Sequence, residues 1–203
     1  MMSLFPIFLK LAGRRCLVVG GGTIGEGKIA GLLEAGAQTI VVAPKVTERV
    51  KEWASAARIT WLEHHFSPAD LEGAFVVVAA TSCPEVNDLV FREAGHRGIL
   101  CNAVDEPERC DFYYPAVLRR GQLQIAISTG GSSPALAQRL RKELDQQFSA
   151  DYVPWLDELG ETRRRLINTQ GDASHRRQCL HRLASREAFE RFVQKRARGG
   201  RSG

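Results

Sequence analysis

The sequence predicts an α/β fold: an N-terminal parallel sheet covered by helices on both faces, a small central α+β region, and a helical C-terminal region. Three observations carry that prediction. Short Val/Ile/Ala-rich runs alternate with helical patterns over residues 16–103, the grammar of a parallel sheet buried on both sides. A glycine-rich turn, GGGTIG, stands where the first such run meets the first helical pattern. After residue 111 the alternation stops. Two β-type runs follow one another, and the chain to about residue 196 then reads as helix.

Each element can be justified in turn. CLVV (16–19) is the first strand. In GKIAGLLEAGA, Ile29, Leu32 and Leu33 recur at helical spacing and Gly36 marks the stop. TIVVA (39–43) completes a βαβ unit. Residues 47–57 read as a helix, ITWLE (59–63) as a strand, AFVVVAAT (74–81) as a buried strand, PEVNDLVFREAG (84–95) as a helix and ILCNA (99–103) as the fifth strand. FYYPAVLRRGQLQIAIST holds two β-type runs separated by RRGQ, which predicts a hairpin. In GGSSPALAQRLRKELDQQF, Ser133 suits the N-cap and Pro134 the first helical position. DYVPWLDELGETRRRLINT, HRRQCLHRLA and SREAFERFVQKRA are helical, and the closing RGGRSG is expected to be disordered. These changes of pattern divide the chain into residues 1–111, 112–148, 149–197 and 198–203.

Composition narrows the function. With 44% hydrophobic and 25% charged residues over 203 positions, the chain has a soluble globular balance and enough length for a real core. No apolar run reaches the roughly 18 residues that span a bilayer. The start, MMSLFPIFLKLAGRRC, has neither a basic n-region nor a small-residue cleavage site, so no signal peptide is expected. Five scattered cysteines without a CxxC read as reduced thiols of a cytoplasmic protein. The net charge of +5 lies wholly in residues 149–203, with 12 Lys and Arg against 7 Asp and Glu. That basic segment fits an anionic small molecule or an ordinary solvated helix face. It carries no recognised nucleic-acid-binding motif.

Two glycine-rich turns and one acidic stretch carry the chemistry. Gly20, Gly22 and Gly25 satisfy GxGxxG. Such a turn needs one glycine for the bend, one for backbone approach to a pyrophosphate and one for close helix–strand packing. An acidic residue is usual at the end of the second strand, where it would bind the ribose. Here Ala43-Pro44-Lys45 occupies that place. Lys45 suits a 2′-phosphate, or it is a plain loop lysine. Ser128-Thr129-Gly130-Gly131-Ser132-Ser133 is the second turn. Its amides and hydroxyls suit a carboxylate or phosphate, or it is an ordinary strand–helix turn with a Ser N-cap.

The stretch CNAVDEPERCDFYYPA (101–116) contains Asp105, Glu106, Glu108 and Asp111. Asp105 follows the fifth strand, and ligands in open α/β sheets bind beyond the carboxyl ends of strands. It is therefore the acid/base candidate, while the other three carboxylates are expected to be solvated. Cys101 and Cys110 lack metal-type spacing and have no His nearby.

The segments LFPIFLKLAGRRCLVVGGGTIGEGKIAGLLEAGA, VVAP, AATSCPEVN, CNAVDEPERCDFYYPA and QIAISTGGSSPALAQRLRKELD, in order from Leu4 to Asp145, resemble the precorrin-2 dehydrogenase / sirohydrochlorin ferrochelatase family of siroheme synthesis. That family occurs alone or as the N-terminal part of siroheme synthase. The resemblance implies a Rossmann-like domain over 1–111, a central dimerisation region over 112–148, a helical domain over 149–197 and a homodimer. It implies NAD-dependent oxidation of precorrin-2 to sirohydrochlorin and, in some members, insertion of Fe2+ as a substrate to give siroheme. By matched motif, Gly20, Gly21, Gly22, Thr23, Ile24, Gly25, Ala43, Pro44, Lys45 and Thr81 would contact NAD. Asn102, Ser128, Thr129, Gly130, Gly131 and Ser133 would line the tetrapyrrole site. Asp105 would be catalytic, and would meet the metal transiently in a chelatase.

Two departures follow. Gly27 stands where an Arg is usual, although Lys28 is kept. The methyltransferase part of the fused enzyme does not follow, so this chain is not expected to make precorrin-2. The eight carboxylates of precorrin-2 suit Arg119, Arg120 and Arg163–Arg165, each of which also reads as solvated surface. The rival reading is a non-catalytic dinucleotide-binding sensor, with no membrane or nucleic-acid partner in either case.

Overall fold

A computed structural model describes residues 4–168 and 172–199. The chain divides into two compact units, residues 1–114 and 115–203.

The first unit is built on a five-stranded sheet. Its strands are β1 (Arg15–Gly21), β2 (Gln38–Val46), β3 (Thr60–Leu62), β4 (Val76–Ala79) and β5 (Leu100–Ala103). All pairings are parallel, and the spatial order is β3-β2-β1-β4-β5. The helices are α1 (Thr23–Glu34), α2 (Glu48–Ser55) and α3 (Pro84–His96). Because side chains alternate along a strand, successive core residues go to opposite faces. Cys16, Val18, Val41, Val76 and Val78 pack with Ile29 and Leu32 of α1 and Val50 and Trp53 of α2. Leu17, Val19, Val42, Val77, Ala79 and Cys101 pack with Val90 and Ala94 of α3. Both faces are thus apolar and covered, as the near-continuous hydrophobic runs require.

β2 runs three residues beyond the TIVVA segment, because Val46 pairs with Gly21 past an irregularity in the ladder. Pro44 is tolerated there because β3 has already ended at the Val42–Leu62 pair. Ahead of β1, residues 4–10 have no regular structure, and Leu4, Phe5, Ile7, Phe8 and Leu9 are exposed.

The second unit begins with an antiparallel hairpin, β6 (Ala116–Arg120) and β7 (Leu123–Ile127). The segment RRGQ is not wholly a loop. Both arginines belong to β6, and the turn is Gly121-Gln122, with Gly121 at φ +58°. Helix α4 (Pro134–Gln147) packs on the hairpin, followed by α5 (Tyr152–Asn168), α6 (Ala173–Leu183) and α7 (Arg186–Gly199). Tyr152 and Trp155 of α5 meet Phe189 of α7, with ring centroids 4.3 and 4.9 Å apart. The expected disordered tail begins within α7 at Arg198 and Gly199, and its remaining residues, 200–203, lie outside the described residues. Among the described residues, no helix is long and apolar enough to cross a membrane.

Candidate functional site

The glycine turn joins the carboxyl end of β1 to the first turn of α1. Gly20 has φ +106°, and a Cβ there would lie 2.4 Å from the Ala80 carbonyl oxygen. At Gly21 it would meet Val46 at 2.3 Å, and at Gly25 the Gly20 carbonyl oxygen at 2.3 Å. At Gly22 it would meet nothing within 4 Å. Three glycines are therefore demanded by the fold itself, whereas Gly22 faces open space. Gly22 is also the N-cap of α1 and offers no side-chain cap, so the first helical N–H groups are left to an outside acceptor. Glu26, the acid of the first turn, is drawn aside by Thr47 Oγ1 at 2.7 Å and Arg49 at 3.6 Å. This arrangement fits the pyrophosphate of a dinucleotide.

At the end of β2, Ala43 is buried and its carbonyl oxygen accepts from Trp61 Nε1 at 2.9 Å. Pro44 and Lys45 are exposed. Thr81 stands in the turn after β4. Its hydroxyl donates towards Asn87 Oδ1 (2.8 Å) and the Cys83 carbonyl (3.0 Å) and accepts from Cys83 N at 3.2 Å. Asn87 is 4% exposed and is the hub of this region. Its Oδ1 also accepts from Thr81 N at 3.3 Å, and its Nδ2 donates to Thr81 O at 3.2 Å and to Glu106 Oε1 at 3.1 Å.

Asp105 lies just beyond the carboxyl end of β5, two strands across from the glycine turn. It is exposed and adopts a left-handed backbone, φ +63°. Its three acidic neighbours are not alike. Glu106 is half-buried, held by Asn87 on one oxygen and by Arg109 on the other. Arg109 in turn reaches Asp88 at 3.1 Å. Asp111 accepts from Cys101 N at 2.8 Å. The expectation that both are simply solvated is corrected: each fastens the loop to the body of the sheet. Only Glu108 is exposed without such a tie.

Asn102 is 5% exposed, and its Nδ2 donates to Phe112 O at 2.8 Å and towards Cys110 Sγ at 3.3 Å. It joins β5 to the returning chain. The Cys110 thiol donates to Ala103 O at 3.1 Å and Glu106 O at 3.3 Å, bracing the Asp105 turn from inside. Burial pushes the Cys101 thiol up to about 12 and also raises Cys110. These are packing thiols rather than nucleophiles.

Lys28 of α1 completes this cluster. It is half-buried, with Nζ 3.8 Å above the Tyr114 ring. Burial lowers its pKa, partly offset by the Asp105 carboxylate and the Cys110 thiol nearby. Tyr114 is 43% exposed, and partial burial, with a smaller contribution from Cys16, raises its phenol to about 12. Among the described residues, no group of three or more His, Cys, Asp or Glu side chains could hold a metal ion.

In the second unit the turn after β7 is largely self-satisfied. Ser128 Oγ accepts from Gly130 N at 3.1 Å, Thr129 Oγ1 from Ser133 N at 3.0 Å, and Ser133 Oγ from Leu136 N at 3.2 Å. Ser133 is the N-cap of α4. Gly130 and Gly131 are exposed and left-handed. Each hydroxyl keeps its own proton to donate. Arg120 is not a free surface cation, since it caps α4 through Phe148 O at 2.7 Å and Asp145 O at 3.0 Å.

Asn87 and Lys28 were not singled out as site residues from the sequence. For Asn87 a signal existed: it shares a helical face with Val90 and Ala94, so it is a polar residue on a buried stripe. Lys28 stands out there only as a residue kept from the family pattern, and its place beside Tyr114 could not be read, because Asp105 and Tyr114 are remote in sequence.

The family model described as "Putative NAD(P)-binding" matches residues 7–116, and the one described as "Sirohaem biosynthesis protein central" matches residues 120–147. The siroheme synthase of Nitrosococcus oceani is 42% identical over 151 residues, 74% of this chain and 32% of that protein. Siroheme synthase 1 of Aeromonas salmonicida is 38% identical over 201 residues, 99% of this chain and 42% of that protein. The chain spans less than half the length of these curated relatives. Among solved structures, SirC, a precorrin-2 dehydrogenase, is 30% identical with a TM-score of 0.77, covering 95% of this chain and 98% of its own. On these matches the chain belongs to the precorrin-2 dehydrogenase / sirohydrochlorin ferrochelatase family, which also forms the N-terminal part of siroheme synthase.

Proposed function

We propose that this chain oxidises precorrin-2 to sirohydrochlorin with NAD+. One observation carries the reading. A carboxylate, Asp105, stands at the same carboxyl edge of the sheet as an uncapped glycine turn, two strands across from it, in a chain that overlays a precorrin-2 dehydrogenase along almost its whole length. The oxidation removes a hydride and a proton from the substrate. Bound NAD+ supplies the hydride acceptor. The N–H groups at the start of α1 hold the pyrophosphate, with Gly22 leaving room for it. Asp105 takes the proton, with the half-buried Lys28 close by. Ser128, Thr129, Gly130, Gly131 and Ser133 are proposed to contact the tetrapyrrole, and residues 112–148 to pair two copies.

Anaerobic mixing with precorrin-2 and NAD+ should generate NADH absorbance. NAD+ binding without NADH formation would instead support a dinucleotide sensor. NAD+ is proposed over NADP+ on the family resemblance, although Lys45 is exposed and no acid occupies the ribose position. A higher kcat/KM for NADP+ would reverse that assignment. Insertion of Fe2+ into sirohydrochlorin is proposed as a second activity on the family resemblance alone, with Asp105 meeting the metal transiently. A rate with Fe2+ or Co2+ no faster than the spontaneous one would confine the chain to the dehydrogenase step.

A further inference from the structure

Asp105 holds a backbone conformation that few L residues adopt, and something must keep it there. The turn's own bond, Glu106 N to Ala103 O, is 3.2 Å long. The backbone bonds Val104 N to Ala79 O and Arg109 N to Glu106 O, both 2.9 Å, and the Cys110 thiol also hold the turn. The Glu106 side chain adds a tie to a neighbouring element, its two oxygens held by Asn87 and Arg109. A side-chain amide can make four hydrogen bonds, and Asn87 has a partner at each: Oδ1 accepts from Thr81 N and from the Thr81 hydroxyl, whose one proton is shared with the Cys83 carbonyl, and Nδ2 donates to Thr81 O and Glu106 Oε1. Its orientation is thereby fixed, since a flipped amide would set donor against donor at Thr81. A buried amide this fully engaged behaves as a rigid link. It joins the turn after β4, which carries Thr81, to the turn after β5, which carries Asp105.

We propose that Asn87 is a positioning residue that couples the Thr81 turn to the Asp105 turn and so sets where the Asp105 carboxylate stands. This rests on the dehydrogenase reading for its catalytic consequence, but not for the link itself. Asn87 touches neither reacting group. It acts through Glu106, and Arg109 and Asp88 steady Glu106 from the other side.

The test uses four variants of the full chain. Asn87→Leu removes the link at its buried end. Glu106→Leu removes it at its half-buried end and so keeps the test independent of whether Asn87→Leu folds. Glu106→Gln keeps an acceptor for the Asn87 amide and should rescue. Glu108→Ala is the control. Misplacing a reacting group by a fraction of an ångström lowers turnover steeply, so both Leu variants should lose about 10- to 100-fold in kcat. Their KM for NAD+ should stay within about threefold of wild type. The double Leu variant should be no worse than either single, because both break one link.

Independently of turnover, hydrogen exchange at residues 104–110 should speed up by about tenfold or more in both Leu variants and not in Glu106→Gln. Wild-type kcat and exchange in both Leu variants would overturn the proposal. A rise in KM for NAD+ matching the fall in kcat would overturn it too, reducing Asn87 to a brace of the cofactor turn. If wild type makes no NADH from precorrin-2, the dehydrogenase reading fails, and the exchange result still decides the link.

Discussion

Gly22→Val tests the glycine turn without testing the fold. A side chain at Gly22 would meet no protein atom within 4 Å, so the variant should fold normally and lose NAD+ binding. Calorimetry showing wild-type affinity would move the cofactor elsewhere. Gly25→Val is the contrast. Its Cβ would press on the Gly20 carbonyl oxygen at 2.3 Å, so urea unfolding should report destabilisation of about 3 kcal/mol or more. At Asp105, alanine should lower dehydrogenase activity by about two to four orders of magnitude, typical for loss of an acid/base group, while NAD+ affinity holds. Glu108→Ala should leave the rate alone. Near-wild-type activity in Asp105→Ala would point instead to the hydroxyls of Ser128 and Thr129. The place of Asp105 was legible in the sequence because it follows a strand end, which is a local fact. The attachment of Glu106 was not, because its partner Asn87 lies 19 residues away on another element.

The order of strands and helices was legible for a similar reason: periodicity is local, and each run declares its own type. Strand order in space is not local, nor is the pairing of Gly21 with Val46 that draws Pro44 into β2. Burial within strands has a consequence that titration can read. Cys16 in β1 and Cys101 in β5 are fully buried, and their thiols rise from an ordinary 9.0 to about 11 and about 12. Above pH 9.0 the unfolded chain loses these protons while the folded chain keeps them. Stability should therefore fall as pH climbs from there towards about 11 and 12, the folded values. Each thiol contributes a slope of about 1.4 kcal/mol per pH unit. Urea midpoints measured across that range would record the slope, and Cys101→Ala should reduce it by about 1.4 kcal/mol per pH unit. An unchanged slope would mean that other groups govern alkaline unfolding.

Taken whole, the chain should be a dimer. A two-stranded hairpin is marginal by itself, and residues 112–148, which hold β6–β7, are the proposed pairing region. Sedimentation at micromolar concentration should give about twice the 22.4 kDa chain mass, and a value near 22.4 kDa would remove the idea. The left-handed backbone at Asp105 also sets global heat resistance against catalysis. Glycine suits that geometry better than any other residue, and the conformational penalty it lifts is of the order of 1 kcal/mol. Asp105→Gly should therefore melt no lower than the wild type while losing turnover, and a melting point several degrees lower would show that the carboxylate also holds the fold together. A library of this chain sorted for thermal tolerance alone would enrich glycine at position 105 and return robust, inactive protein. On the dehydrogenase reading, any campaign to toughen this chain must therefore select on turnover and melting together.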